Sequence, residues 1–435
     1  MNSSAQPMTL QDRFWAVLLV MCIVQFSGAW IYPPAIDAMA EALSMEKKFG
    51  VPYQYMLWVL IPTGLMLLVQ RSGFESYYRV IRLVLPYWLI GLIAGLFGFG
   101  PISSLRALIL WGLMVTAAVC TVTSLPTQRT IKLLCGTLAV AMVLSIVLAL
   151  LVPSIGTQAY GASMVWRGAF FGKNVFGWVA ALTMVISMAA MRPDNLRWTR
   201  TAAVLGFIGL LGSQSKGAAV AAVATVAYLY LIRSFARRLS PGFAVFSVIA
   251  LIGVAAVSGF LVLPALLEVL GRDMTLTGRT DVWRLFFNSM VKSPWLGEGP
   301  GAYSALSPLT APLAARLESL GTIVTPHNVF LGVFGDTGLF GLCAFVLTVG
   351  YLTVVLPLYR PARGTFMCAA VGFLIMAHGL VETHEVLAPG PGWFLLMLSY
   401  ALSIKERKEY VAPVMPVETP ITPQAEMRFA ARRIG

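Results

Sequence analysis

The sequence predicts an all-α polytopic membrane protein with about 12 transmembrane helices, and three observations carry that reading. Hydrophobic residues make up 58% of the 435 and charged ones 11%, with a mean hydropathy of +0.80, whereas a soluble domain carries about 25% charge. Apolar stretches close to the ~20 residues that cross a bilayer recur along the whole chain. Lys and Arg collect in alternate connecting segments, which is how short loops declare the side they occupy.

In order, the candidate spans cover 13–33, 52–70, 80–99, 103–125, 131–152, 174–191, 200–215, 217–234, 242–264, 327–358, 365–384 and 390–404. The first lacks an A-x-A-like cleavage site and runs into "IYPPAIDAMAEAL", so it reads as a retained span and not a signal peptide. The seventh and eighth are short and separated only by "SQSKG". Joining them would break the alternation of basic loops, so two helices are expected. Between the ninth and tenth lies the one sizeable polar stretch. The expected division is thus spans 1–9 over 1–264, a long helical loop over 265–326, spans 10–12 over 327–405, and a proline-rich disordered cytoplasmic tail over 406–435. Cys22, Cys120, Cys135, Cys343 and Cys368 all fall inside apolar runs and read as small core residues, with neither metal spacing nor a disulfide framework.

Placing both termini in the cytoplasm puts 20 of the 31 basic residues inside, including Arg79 and Arg82, Arg129, Arg192, Arg237 and Arg238, Arg360 and Arg363. The net charge of +13 is therefore mainly a topology signal. No basic patch interleaved with aromatics points to nucleic acid. The informative cations are those left on the far side: Lys47, Lys48, Arg106, Arg167, Lys173, Lys216, Arg272, Arg279, Arg284, Lys292 and Arg316. Lys47, Lys48, Arg106 and Arg316 read as helix-end anchors or solvated charges. The others sit in patterned surroundings.

Within the long loop, "GRTDVWRLFFNSMVKSPWLGEGPGAY" has a helix pattern. Thr280 is a suitable cap, and Trp283, Phe286, Phe287 and Met290 follow at i, i+3, i+4, i+7 as one apolar face. Pro294, Gly297, Gly299, Pro300 and Gly301 end it. Such a helix would lie on the membrane surface or cover a cavity, with Arg279 just before it.

"TPHNVFLGVFGDTGLFG" opens the tenth span with one of three histidines in the chain. Thr325 is a good N-cap and Pro326 suits the first helical position, which places His327 in the first turn. The positive end of the helix dipole disfavours an imidazolium there, so His327 is suited to accept a proton. A histidine bonding structurally across helices is the competing reading. Asp336, nine residues on, is about half a turn out of phase and belongs elsewhere, with no partner evident from the sequence. Gly332, Gly335, Gly338 and Gly341 recur every third residue and read as scaffold for close helix approach. In "GLVETHEVLAPG", Glu382, His384 and Glu385 lie too near in sequence to converge on a metal from one helix; Glu382 or Glu385 is expected to pair with an arginine or to hold His327. His378 reads as a packing histidine.

The ordered set "WRGAFFGKN", "SQSKGAA", "TGRTDVW", "SPWLGEGPGAY" and "TPHNVFLGVFGDTGLFG", from about residue 160 to 350, resembles the O-antigen ligase (WaaL) family, within a superfamily that includes O-antigen polymerases and bacterial O-linked oligosaccharyltransferases. The resemblance implies a GT-C-type integral-membrane glycosyltransferase, inverting and metal-independent, without a cofactor, in the bacterial inner membrane with its active site on the periplasmic face. It implies transfer of a polysaccharide from undecaprenyl pyrophosphate to a sugar hydroxyl of the lipid A core. His327 would be the base. Arg279 would take part in catalysis and, with Arg167 and Lys216, hold the pyrophosphate; the family pattern more often has arginine where Lys216 stands. Asn328, Lys173, Asn174 and Glu382 are candidates for a supporting role. No Asp-x-Asp pair occurs, which disfavours a sugar-nucleotide donor. The rival readings are a polymerase or oligosaccharyltransferase of the same superfamily, and a flippase of lipid-linked sugars.

Overall fold

The computed structural model describes residues 9–28, 53–72, 74–160, 163–269, 279–305, 307–310, 312–313, 325–383 and 386–411. Each of the twelve apolar stretches coincides with a helix: α1 Leu10–Ser27, α2 Tyr53–Ser72, α3 Glu75–Phe97, α4 Pro101–Ser124, α5 Thr127–Leu151, α6 Lys173–Ala190, α7 Leu196–Ser213, α8 Lys216–Arg238, α9 Pro241–Val269, then α11 Val329–Gly350, α12 Arg363–His378 and α13 Pro391–Val411. The loop helix, α10, is Arg279–Met290. Among the described residues, seven helices are long and apolar enough to cross a membrane by length and composition, and shorter apolar helical stretches run over Leu60–Gln70, Pro241–Ala255 and Arg363–His378. Large apolar side chains such as Val220, Val223, Phe246 and Ile249 are exposed on the outer surface, a surface suited to lipid. The chain is a multi-pass membrane protein.

"SQSKG" does separate two helices. Gln214 adopts the left-handed conformation (φ 51°) and α8 begins two residues later. Among the elements that escaped the sequence reading is a small antiparallel hairpin of β1 Thr157–Tyr160 and β2 Ser163–Trp166, in which Thr157 faces Trp166. Strands of four residues offer too little alternation to stand out. The core is aromatic at its centre, where Trp393 of α13 meets Trp111 of α4 edge-on at 5.3 Å and Tyr87 of α3 at 6.1 Å.

α11 is broken. Gly338 has φ 64° and ψ −167°, a conformation that belongs almost solely to glycine. A break frees backbone groups that must find partners, and the loop after α10 supplies them. Glu298 N–H donates to Gly335 O (3.0 Å) and Gly299 N–H to Asp336 O (2.8 Å), while the N–H groups of Leu339 and Phe340 donate to Pro294 O (2.8 Å) and Trp295 O (3.3 Å). Asp336 completes the clamp. Fully buried, its carboxylate accepts the N–H groups of Gly301 (2.8 Å), Tyr303 (2.7 Å) and Ser304 (3.2 Å) and the Ser304 hydroxyl. The partner that the sequence withheld from Asp336 is thus the "GPGAYS" loop. The glycine repeat admits this loop as well as a helix: a Cβ on Gly335 would stand 2.7 Å from Tyr303 Cδ2 and 2.8 Å from Met290 Cε of α10, and one on Gly338 2.2 Å from the Trp295 carbonyl carbon. The same loop holds the α3–α4 turn, through Phe99 N–H to Glu298 O (3.0 Å) and Ser104 Oγ to Pro300 O (3.1 Å).

At the opposite end of the bundle, the segments that the basic pattern assigns to one side meet in space. Arg363 pairs with Asp194 (3.1 Å) and Glu406 (3.7 Å), Gln128 also bonds Asp194 (3.0 Å), and Lys408 pairs with Glu75 (2.9 Å). Burial alone would raise the Asp194 carboxyl, but the bonds and charge of Arg363 and the Gln128 amide hold it below the usual carboxylate range.

Gly338→Ala is expected to weaken this clamp, because the backbone conformation alone costs ~1–3 kcal/mol for other residues and the new Cβ collides with the Trp295 backbone. The purified variant should show a lowered thermal midpoint. A midpoint equal to that of the unaltered protein contradicts the docking described.

Candidate functional site

The site begins at the turn before α11, and here the sequence expectation needs correction. Neither Thr325 nor His327 lies where the Thr-Pro signal places it. Asn328 is the N-cap, with Oδ1 accepting from the N–H groups of Phe330 (2.9 Å) and Leu331 (3.1 Å), and it is held from outside the helix as well. Its Nδ2 donates to Leu380 O (3.2 Å), and its backbone N–H donates to Thr383 Oγ1 (2.9 Å). Val329 N–H donates to Gly379 O (2.7 Å). These partners lie some fifty residues away in sequence, so local pattern alone could not choose the cap. Asn328 is accordingly a buried capping residue.

His327 precedes the cap in the left-handed conformation (φ 47°), which is rare outside glycine, asparagine, aspartate and histidine. Its Nδ1 lies 2.8 Å from Glu382 Oε2. Glu382 Oε1 accepts from Asn174 Nδ2 at 3.3 Å. A carboxylate only accepts, so Nδ1 carries the proton in this contact and Nε2 of the neutral ring holds the lone pair. The Glu382 side chain is 11% exposed and that of His327 31%, so the carboxylate is enclosed while the imidazole reaches open space. Of the two roles the sequence offered Glu382, the geometry gives it the holding of His327. Glu382 N–H is fixed by His378 O (3.1 Å), and the His378 ring stacks on Trp178 at 4.6 Å.

Three helix N-termini surround this cluster. α6 brings Asn174; α8 begins beside the 378–381 turn, where a Cβ on Gly217 would lie 3.0 Å from Val381 Cγ2; α11 begins at Val329. A Cβ on Gly177 would lie 2.5 Å from Ser215 Cβ, so α6 and the start of α8 are in contact. None of the three has an acidic residue in its first turn. Their dipoles therefore leave positive potential near Glu382, suited to an anion.

The basic candidates are arranged unequally. Lys216 is the exposed first residue of α8. Arg167 follows β2, its Nε donating to Ile155 O (2.8 Å), and the preceding Trp166 lies against Gly212 near the α7–α8 turn. Lys173 is engaged elsewhere, with Nζ 3.0 Å from the Tyr160 ring centroid and its N–H bonded to Gln158 Oε1 (2.9 Å). Arg279 is the first described residue of α10; its side chain, Arg272, His384 and Glu385 lie outside the described residues. The helix is already formed at Arg279, so Thr280 is inside it and is not its cap. The buried stripe is also shifted: Val282, Phe286 and Met290 pack inward with Tyr303, while Phe287 is exposed. Trp283 anchors α10 to the site, its Nε1 donating to Pro326 O (3.0 Å), next to His327. Beside it lies an apolar groove of ≈ 420 Å³ lined by Trp283, Arg284, Phe287, Asn328, Phe330 and Leu331. The sequence missed Thr383, Gln158 and Tyr160; Thr383 stood inside a polar run already singled out, whereas the hairpin residues carried no signal.

The geometry defines an integral-membrane helix bundle with a carboxylate-held histidine at one end, near the start of α8 where Lys216 stands. Residues 201–346 match the family model described as O-antigen ligase. The chain is also 25% identical over 268 residues to the exopolysaccharide production protein ExoQ of Rhizobium meliloti (strain 1021), a match covering 57% of this chain and 61% of that protein. The resemblance carried by the motifs is thereby borne out: the chain is similar to proteins of the O-antigen ligase/polymerase superfamily. Lys216, Arg279 and His327 lie inside the matched segment, and Arg167, Asn174 and Glu382 lie outside it.

Loss of the cap in Asn328→Ala should cost ~0.5–2 kcal/mol, read as a lowered thermal midpoint, and Asn328→Asp should recover most of it. If both variants keep the original midpoint, Asn328 is not the structural cap described.

Proposed function

We propose that the protein is an O-antigen ligase: a metal-independent, inverting glycosyltransferase that moves a polysaccharide from undecaprenyl pyrophosphate to a sugar hydroxyl of the lipid A core. The observation that carries this reading is the Asn174–Glu382–His327 chain of hydrogen bonds, which leaves one imidazole nitrogen free to take a proton. His327 Nε2 removes the acceptor hydroxyl proton, and the oxygen attacks the anomeric carbon from the face opposite the pyrophosphate. The bond from that carbon to the phosphate oxygen breaks, and its electron pair leaves with undecaprenyl pyrophosphate. Three helix N-termini, with Lys216, Arg167 and Arg279, bind the charge as it develops. The groove under α10 is apolar enough for the first isoprene units, with Arg284 at its side. On this reading the protein sits in the bacterial inner membrane, both termini are cytoplasmic, and the site faces the periplasm.

Polymerisation of repeat units is the second reading, favoured by the similarity to ExoQ, an exopolysaccharide production protein. The same base and clamp would serve it, with a growing saccharide as acceptor.

In a cell that makes the polysaccharide, His327→Ala should stay in the membrane and lower transfer about 100- to 10,000-fold, the range of general-base contributions. A ligase defect leaves long chains on the lipid carrier and bare lipid A core. A polymerase defect leaves core capped by single repeats, and a flippase defect traps units on the cytoplasmic side. Normally capped lipid A in this variant would sink the proposal. In purified form, transfer should persist after exhaustive chelation of divalent cations, and loss of activity restored by added metal contradicts the metal-independent mechanism.

A further inference from the structure

A large cavity lies away from the histidine site. It has a volume of ≈ 1320 Å³, and Arg79, Arg82, Arg192, Arg360, Arg363 and Arg407 contribute to its lining. α6 runs from Asn174 at the site to Ala190 near Arg192, and α12 runs from His378 back to Arg363. At ~1.5 Å per residue these helices put the cavity roughly 22–27 Å from the His327 cluster, at the other end of the bundle.

The charges in this cavity do not cancel. Its three acidic residues, Glu75, Asp194 and Glu406, are already engaged: Glu75 with Arg79 and Lys408, Asp194 and Glu406 with Arg363. Among the described residues Arg82, Arg192, Arg360 and Arg407 make no ion pair, and all four are exposed into solvent. Four uncompensated guanidinium groups around one concavity focus a positive field more strongly than the same charges on a convex face. Each guanidinium can take phosphate oxygens bidentately. Tyr78, Tyr351 and Tyr400 join the lining, with Leu356 as an apolar wall, and aromatic residues of this kind favour the headgroup level of a bilayer. A basic pocket between transmembrane helices is a known setting for anionic lipid headgroups.

We propose that this arginine-lined cavity, at the end of the bundle opposite His327, binds a phosphate-bearing anion, the chemistry shared by anionic lipid headgroups and soluble phosphates. It is separate from the transfer site, and its existence does not depend on the reaction carried out there. The tyrosine and leucine walls favour the lipid source.

The test uses the full-length protein in neutral detergent, with native mass spectrometry after addition of cardiolipin, phosphatidylglycerol, phosphatidylcholine or inorganic phosphate. The unaltered protein should retain the two anionic lipids over phosphatidylcholine. The triple variant Arg82→Gln, Arg360→Gln, Arg407→Gln should retain them at least about tenfold more weakly, a difference of ~1.4 kcal/mol. Arg237→Gln with Arg238→Gln, two exposed arginines at the end of α8 and outside the cavity, is the control for general positive charge and should bind as the unaltered protein does. Should the triple variant not fold, Arg360→Gln alone should show part of the loss. Binding of inorganic phosphate that displaces the lipids, and that the triple variant lacks, supports the site and assigns a soluble source. Equal retention by unaltered and cavity variants overturns the proposal, as does an equal loss in the control.

Discussion

The carboxylate of Glu382 is the point on which the site depends, because one buried anion joins two helix starts to the turn that ends a third. Asn174 arrives from α6, His327 from the approach to α11, and Glu382 from the turn after α12. A buried carboxylate is costly unless its lone pairs are used, and here both oxygens accept. The requirement works in both directions. Satisfying Glu382 fixes the imidazole, and fixing the imidazole selects the ring nitrogen that faces outward.

A second constraint lies along the same helix and is of the backbone. The break at Gly338 would leave donors and acceptors orphaned in an apolar setting, and the Pro294–Ser304 loop closes them with four backbone bonds and the Asp336 carboxylate. That loop follows α10, which is itself tied to Pro326 by Trp283. The clamp and the histidine are therefore parts of one assembly: the residue before His327 anchors α10, and the chain leaving α10 is locked into α11.

Apolar runs made the helices legible, because the hydropathy of a membrane-length segment is local and needs no tertiary information. The separation of α7 from α8 was legible too, from a five-residue polar turn between runs too short to merge. What stayed hidden depends on distant partners. Thr325 and Asn328 are both good caps by residue type, and Leu380 and Thr383 chose between them. The stripe of α10 keeps Phe286 and Met290 but takes Val282 in place of Phe287, since Val282 packs in the cluster with Tyr303. The β-hairpin was too short for its alternation to register, although it carries Gln158 and Tyr160, which engage Lys173. The candidate histidine was readable, and Glu382 was among its expected holders; which ring nitrogen that glutamate engages, 55 residues later, was not.

The central claim is that His327 acts as a base held by Glu382. A double-mutant cycle measures it most directly: transfer rates, with purified lipid-linked donor and acceptor, for His327→Ala, Glu382→Gln and the pair together. If Glu382 acts through the histidine, the pair should be no slower than His327→Ala alone, because nothing remains for the carboxylate to orient. Rate losses that multiply, with the pair slower than His327→Ala by the full factor of Glu382→Gln, would show two independent contributions and contradict the account.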